Sequence, residues 1–263
     1  MGSIFNILGF VIAGLYLLVS IMCGVIFWSN KDDLRIPVRT LAAITVALHA
    51  VYILILVVNT RRLPMASPVE AVAFTSFILA LTYIVIHYTS KESGTGLFLY
   101  PVIFMLQAPA AFLLTPVDTF NPILASPYFA LHTIPTILGY TAFLIAMKYG
   151  LMYLLMYSQI KSKKIGKIFR RMPDLNGLDK LNTRSVITGF TFLTIGIVSG
   201  SLWATSVWED RQGFDLKLVA GFVPWVLYGI SIQLRYLSGW RGKRVAFISV
   251  IGGVMLLLFF MII

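Results

Sequence analysis

The sequence predicts an all-α fold, a polytopic transmembrane helix bundle of about eight spanning helices with both termini on the outer side of the membrane. Three observations support this prediction. The chain is 59% hydrophobic and 12% charged, whereas a soluble domain is about 25% charged. Its apolar residues form long segments separated by short polar loops. Its basic residues cluster in alternate loops, a pattern typical of a membrane protein with a fixed orientation.

Eight segments are apolar over about the 20 residues that a spanning helix needs. They cover residues 4–28, 37–58, 70–88, 97–114, 129–157, 185–206, 217–236 and 245–262. The fourth is short and contains Pro101 and Pro109, so we expect it to be kinked or partly re-entrant. The first lacks a basic region and a small-residue cleavage site, so we expect it to be retained. Residues 1–263 are therefore expected to form a single integral membrane domain.

The distribution of basic residues predicts the orientation of the helices. If the basic loop 158–184 lies in the cytoplasm, the outer loops keep only Arg61, Arg62, Arg211 and Lys217. The positive-inside rule favours this arrangement, which places the Trp-bearing loop 203–217 outside and indicates a multi-pass protein of the plasma (inner) membrane. Because topology explains the clustered charge, no nucleic-acid partner is expected. Cys23 is the only cysteine, which excludes a disulfide or a cysteine-based metal site within one chain.

Three histidines are the candidate metal ligands. His49 lies near the middle of the second segment, His87 at the cytoplasmic end of the third, and His132 near the outer end of the fifth. A neutral imidazole is an axial ligand for haem iron, and ionisable groups inside a bilayer indicate function by default. We favour His132, because it lies on the same side as the Trp-bearing loop. His87 is interpreted as an interfacial residue, and for His49 a hydrogen-bonded structural role is an equal alternative.

The loop 203–217 has tryptophans at its start. Trp203 and Trp208 follow one apolar segment, and Trp225 lies in the next. Tryptophan is enriched at the membrane–water boundary because its apolar ring carries a polar N–H, so we predict an aromatic platform on the outer face. The chain contains no P-loop, HExxH, GxSxG or paired-carboxylate arrangement. Nothing in the sequence therefore suggests a hydrolase or a nucleotide-driven pump.

Four stretches, taken together, carry a family resemblance. They are RRLPMASPVEAVAF, LHTIPTILGYTAFLIA, MPDLNGLDKLNTRSVITGFTFLTIGIVSGSLWA and GWRGKRVAFISVIGG, with Tyr140 eight residues after His132 in the second. This ordered set resembles the cytochrome c assembly family of haem-handling membrane proteins, which includes the CcsA-, ResC-, HemX- and YpjD-like proteins. The resemblance covers about residues 37–262 and is closest to the short HemX-like and YpjD-like branch with eight helices.

The resemblance implies a haem site on the outer face. The family's tryptophan-rich motif reads approximately W-G-x-x-W-x-W-D-P-K-E, and its register here begins at Trp208. Arg211 and Gln212 stand where aromatic residues are expected, and Gln233 stands where the family has a transmembrane histidine, so the motif is degenerate. The implied ligand is haem b, with His132 as an axial ligand of the iron and His49 as a further candidate. The implied binding residues are His132, His49, Trp203, Trp208, Phe214, Asp215, Trp225 and Tyr140.

The resemblance implies a carrier or assembly factor and not an enzyme. Three functional hypotheses follow. In the first, the protein translocates or presents haem at the outer membrane face during cytochrome c biogenesis, with haem, membrane lipids and other assembly components as partners. In the second, it is a HemX-like regulatory or accessory protein of tetrapyrrole synthesis, and an enzyme of that synthesis docks on the loop 158–184. In the third, it is a transporter unrelated to haem, a reading supported only by the buried positions of His49 and Lys148.

Overall fold

The computed structural model describes residues 2–29, 31–90, 95–114, 123–163, 166–207 and 216–262. Within these ranges the regular structure is helical and contains no strand. The helices are α1 (Gly2–Ser29), α2 (Arg35–Thr60), α3 (Pro68–Ser90), α4 (Tyr100–Leu113), α5 (Pro127–Lys161), α6 (Lys167–Arg171), α7 (Leu175–Val207), α8 (Leu216–Leu237) and α9 (Lys243–Ile262). Two short 3₁₀ helices, Asp32–Leu34 and Thr95–Phe98, precede α2 and α4.

The all-helical prediction is confirmed for the described part of the chain. In that part, six helices are long and apolar enough to cross a membrane, namely α1, α2, α3, α5, α7 and α9. Helix α4 is apolar but has 14 residues, which is about 21 Å of helix against a hydrocarbon core of about 30 Å. Each of the eight predicted segments coincides with a helix. The number of spans and the side of the termini stay predictions, as does the single domain.

The chain divides into two compact units, each described here by itself. Unit 1 comprises Met1–Phe120 and Ile165–Met172, and unit 2 comprises Asn121–Lys164 and Pro173–Ile263. In unit 1, α1 packs against α2 and α4, and α3 packs against α4. Apolar side chains from all four helices fill the interior; Tyr16, Leu56, Leu79 and Ile103 are fully buried. The short helix α6 joins this unit, where Arg171 donates a hydrogen bond to the carbonyl of Ile26 on α1.

The connection between α2 and α3 is held by a buried ion pair. The Arg62 guanidinium donates to both carboxylate oxygens of Glu70, at 2.7 and 3.0 Å. Glu70 also accepts a hydrogen bond from the backbone N–H of Ala66 at 3.0 Å. The two charged side chains are only 2% and 1% exposed. The stability of each buried charged side chain therefore depends on the presence of the other, because the low-dielectric interior penalises an unpaired ion.

In unit 2, α5 lies between α7 and α9, and its contact with α7 is the most extensive in the unit. Glycines make this close approach possible: a Cβ added at Gly139 would lie 2.9 Å from the backbone nitrogen of Leu193. The Phe143 ring of α5 stacks on the Tyr228 ring of α8, with centroids 3.8 Å apart. Close packing around small residues is the main source of helix association in a bilayer.

The predicted loop 158–184 is mostly helical, and its position outside the membrane stays a prediction. Helix α5 continues to Lys161 and α7 begins at Leu175. The added turns of α7 are held by tertiary contacts that sequence patterns do not show. The side chain of Asp179 accepts two hydrogen bonds from the Arg235 guanidinium, at 3.1 and 2.7 Å, and one from the backbone N–H of Gly242 at 3.0 Å.

Replacing Glu70 with Gln is expected to destabilise unit 1, because it leaves the Arg62 charge buried without a counter-ion. Removing one partner of a buried pair costs about 3–5 kcal/mol. Thermal unfolding in detergent, followed by circular dichroism, should show a clearly lower midpoint. The double variant Arg62→Met/Glu70→Met removes both charges and should unfold closer to the wild type. Equal losses in the single and double variants would contradict the interpretation.

Candidate functional site around His132

His132 lies in the second turn of α5. Helix α5 begins at Pro127. Its N-cap is Ser126, whose hydroxyl accepts a hydrogen bond from the Phe129 N–H at 3.2 Å. The imidazole Nδ1 of His132 lies 2.7 Å from the carbonyl oxygen of Gly196 on α7. A carbonyl oxygen can only accept, so Nδ1 must carry the proton and donate. In the neutral imidazole, the other ring nitrogen, Nε2, then carries the lone pair, which is the form of histidine that binds a metal.

The imidazole of His132 packs against one face of α7. Gly196, Gly200 and Trp203 follow at intervals of four and three residues, so they share a face of the helix. A Cβ added at Gly200 would lie 2.6 Å from Cε1 of His132. The absence of a side chain at Gly200 therefore creates the space in which the imidazole lies against α7. Sequence reasoning missed both glycines, and their spacing to Trp203 was the only available signal.

Aromatic rings border the same imidazole. Trp203 lies nearly parallel to His132, with centroids 6.5 Å apart and an interplanar angle of 15°. Phe129, one turn before His132, contacts the Trp203 ring at 5.5 Å. His132 is half-buried. The structure thus brings together two of the predicted site residues, His132 and Trp203, and combines a metal-ligating nitrogen with flat apolar surfaces.

Trp225 lies on the opposite side of α7. Its indole N–H donates to the Thr194 hydroxyl at 2.8 Å, and its ring stacks on Phe190 with centroids 5.5 Å apart. Thr194 and Gly196 are two residues apart, which is about 200° around a helix. Helix α7 therefore stands between Trp225 and His132. Tyr140 lies about 12 Å farther along α5 than His132, and its ring contacts Phe260 of α9 at 5.6 Å.

Three of the predicted site residues, Trp208, Phe214 and Asp215, lie outside the described residues. Their part in a haem surface stays a prediction. Within the described ranges, no group of three or more His, Cys, Asp or Glu residues could hold a metal ion. A metal bound near His132 by the described residues would therefore have one histidine ligand and aromatic rings beside it.

His49 is enclosed in unit 1. Its side chain is fully buried, its Nδ1 lies 3.1 Å from the Tyr16 hydroxyl, and its Nε2 has no hydrogen-bond partner. The rings of Tyr52 and Phe77 pack against it at 5.9 and 5.3 Å. An unpartnered nitrogen is suited to a metal, but the surrounding rings leave it no exposed surface. A haem on His49 would require the helices around it to separate.

Comparison with known proteins identifies the family. A family model described as "Cytochrome C assembly protein" matches residues 4–263. The chain belongs to the cytochrome c assembly protein family. Members of this family with similar sequences are named "Cytochrome c biogenesis protein CcsA". The one from Heterosigma akashiwo is 26% identical over 229 residues, covering 74% of this chain and 71% of that protein. The one from Prochlorococcus marinus is 26% identical over 265 residues, covering 90% and 84%.

A further relative carries a different name. The "Protein HemX" of Bacillus subtilis is 27% identical over 208 residues, covering 78% of this chain and 75% of that protein. The resemblance to the cytochrome c assembly family is therefore confirmed, and its model extends over the first helix as well. Both kinds of relative that the sequence suggested, CcsA and HemX, are among the similar proteins.

Two glycine substitutions should distinguish the steric constraint on His132 from the general stabilisation that alanine gives a helix when it replaces glycine. Alanine at a helix position is favoured over glycine by about 1 kcal/mol. Among the described residues, a Cβ at Gly221 would meet nothing closer than the Tyr140 hydroxyl at 3.9 Å, so Gly221→Ala should raise the thermal midpoint. Gly200→Ala should lower it, because the new methyl group pushes the imidazole off the Gly196 carbonyl. A rise of the same size in both variants, measured by circular dichroism in detergent, would show that Gly200 does not constrain His132.

Proposed function

We propose that this protein is a haem carrier of cytochrome c biogenesis that holds haem b through His132. The observation that carries the proposal is the hydrogen bond from Nδ1 to the Gly196 carbonyl, which leaves Nε2 as a lone-pair ligand. Membership of the cytochrome c assembly family supports the broader role. The six apolar helices support a multi-pass membrane protein. The protein acts on haem as cargo, and its own residues bind and orient that cargo.

The surroundings of His132 support a flat, apolar cargo. Trp203 and Phe129 give aromatic surface beside the imidazole, and haem is bound largely through its porphyrin faces in such apolar surroundings. Trp208, Phe214 and Asp215 extend this surface in our proposal, following the register of the family's tryptophan-rich motif. The positive-inside rule supports the outer face of the plasma (inner) membrane as the place of presentation.

Removing the imidazole should remove haem, and adding imidazole should restore it. In His132→Gly, the space left by the side chain can admit free imidazole, which ligates iron without a covalent link. The Soret band of the purified protein should fall about tenfold or more relative to wild type. Imidazole added during haem loading should recover a large part of that band. Recovery distinguishes a ligand from a residue that only supports the fold.

His49→Ala is the matched control, because it removes the other deeply placed imidazole. It should keep most of the bound haem if His132 is the ligand. Loss of the Soret band in His49→Ala, with the band retained in His132→Gly, would assign the iron to His49 and overturn the proposal. Equal loss in both folded variants would place both imidazoles in the haem site.

A second function is favoured by the similarity to the protein named HemX. In this alternative, the protein is a regulatory or accessory component of tetrapyrrole synthesis. The short basic helix α6, with Arg170 and Arg171, would then lie in the docking surface for a soluble enzyme. Arg170 is exposed, as a docking surface requires.

Deletion of the gene should distinguish the two functions. The carrier function predicts loss of covalently haem-stained c-type cytochromes, with tetrapyrrole precursors unchanged. Restoring the gene with His132→Gly should fail to recover those cytochromes, because the cargo is no longer held. The alternative predicts normal c-type cytochromes with altered precursor levels. That second pattern would contradict the carrier function and support the HemX-like function.

A further inference from the structure

Unit 1 contains a cavity of about 440 Å³ that is separate from the His132 site. It lies among α1, α2, α3 and the 3₁₀ helix before α4, and its volume falls in the range of small-molecule sites. The residues that line it include Cys23, Arg35, Arg39, Ala42, Tyr83, His87, Tyr88 and Tyr100. The functions discussed above do not use this cavity.

The cavity has a basic rim. Arg35 and Arg39 lie in the first turns of α2, and the Arg39 guanidinium lies 3.4 Å above the centre of the Tyr88 ring. Arg39 is exposed and Tyr88 is 52% exposed, so this edge is open. Helix α2 begins here without a side-chain cap and without an acidic residue in its first turn, so its dipole adds positive potential. The 3₁₀ helix before it carries two aspartates, which offset part of this potential. None of the described lining residues is acidic.

The interior of the cavity is apolar and aromatic. Ala42, Tyr83 and Tyr100 are each no more than 3% exposed, and Cys23 is 8% exposed. The backbone at Gly96 packs closely against this lining, because a Cβ there would lie 2.8 Å from the Cys23 sulfur. The site therefore changes from two guanidinium groups at the mouth to rings and aliphatic groups inside. A ligand that fits both parts has an anionic head and an apolar body.

We propose that this cavity binds an anionic amphiphile, with its oxyanion head on Arg35 and Arg39 and its apolar body against Tyr83 and Tyr100. Guanidinium groups bind phosphate and carboxylate oxygens through charge-assisted hydrogen bonds. Two sources share this chemistry, the phosphate of an anionic phospholipid and the carboxylates of a tetrapyrrole. The inference does not rest on the proposed carrier function, because His132 is not part of the cavity.

Cys23 makes the proposal measurable. It is the only cysteine of the chain and it lines the cavity, so its rate of alkylation by N-ethylmaleimide reports whether the cavity is filled. The full-length protein is alkylated in detergent micelles doped with phosphatidylglycerol or with zwitterionic phosphatidylcholine. In a second arm, metal-free protoporphyrin IX is compared with its dimethyl ester, which lacks free carboxylates.

We expect at least one of the anionic ligands to slow alkylation about fivefold or more, while its uncharged counterpart does not. Slowing by phosphatidylglycerol alone assigns the site to lipid, and slowing by the free-acid porphyrin alone assigns it to a tetrapyrrole. Slowing by both supports a general site for anionic amphiphiles. No slowing by either, or equal slowing by the charged and uncharged members of each pair, overturns the proposal.

Two variants test the two parts of the cavity. Arg39→Gln should abolish the protection, whereas Arg61→Gln, which removes an exposed charge elsewhere in unit 1, should retain it. Ala42→Leu keeps every charge but fills the cavity, so it should also remove ligand-dependent protection. Gel filtration and circular dichroism check that each variant is folded. If Arg39→Gln aggregates, Ala42→Leu decides the outcome, and full protection in folded Ala42→Leu overturns the proposal.

Discussion

The close approach of α5 and α7 is the constraint on which the His132 site depends. Helices in a bilayer gain little from apolar burial against each other, so they associate through small residues that let the backbones approach and through hydrogen bonds. Helix α7 supplies Gly189, Gly196 and Gly200, which face side chains of α5. His132 occupies the last of these positions and donates to the carbonyl of the middle one. A shift of α5 along α7 would therefore remove the imidazole from its acceptor.

Polar contacts hold the same helix pair farther from the site. The Asn182 amide of α7 donates to the Ala146 carbonyl of α5 at 2.7 Å and accepts from the Ser249 hydroxyl of α9 at 3.1 Å. Asn182 and Ser249 are almost completely buried, so each hydrogen bond replaces one that water cannot supply. Three helices are thus linked through one side chain. The position of His132 is set by packing beside it and by this network several turns away.

The sequence predicted the elements of the fold better than their contacts. The apolar segments coincide with helices, because length and hydrophobicity are local properties of the chain. The start of α7 was missed, since its first turns depend on Asp179 meeting Arg235, a contact over 56 residues of sequence. His132 and Trp203 were predicted to lie at one membrane boundary, and they do meet.

The face of each helix could not be predicted in the same way. Trp225 was grouped with His132 because both were assigned to the outer side, yet its indole bonds to Thr194 on the far side of α7. Depth in a membrane can be counted along a sequence, whereas the direction of a side chain depends on which helices are neighbours. For the same reason, the contact of Gly196 and Gly200 with His132 was not predicted. The sequence of an apolar helix does not indicate which neighbouring helix packs against its glycines.

His49 and His132 differ in the partner that fixes the imidazole. His49 Nδ1 meets the Tyr16 hydroxyl, which can donate or accept, so Nδ1 is satisfied in either tautomer and Nε2 carries the proton in one of them. His132 meets a backbone carbonyl, which only accepts, so a neutral ring has its proton on Nδ1 and its lone pair on Nε2. A ligand that binds His132 therefore encounters a nitrogen already in the metal-binding form. This preorganisation, together with partial exposure, favours His132 over His49 as the ligand in the proposed haem-carrier function.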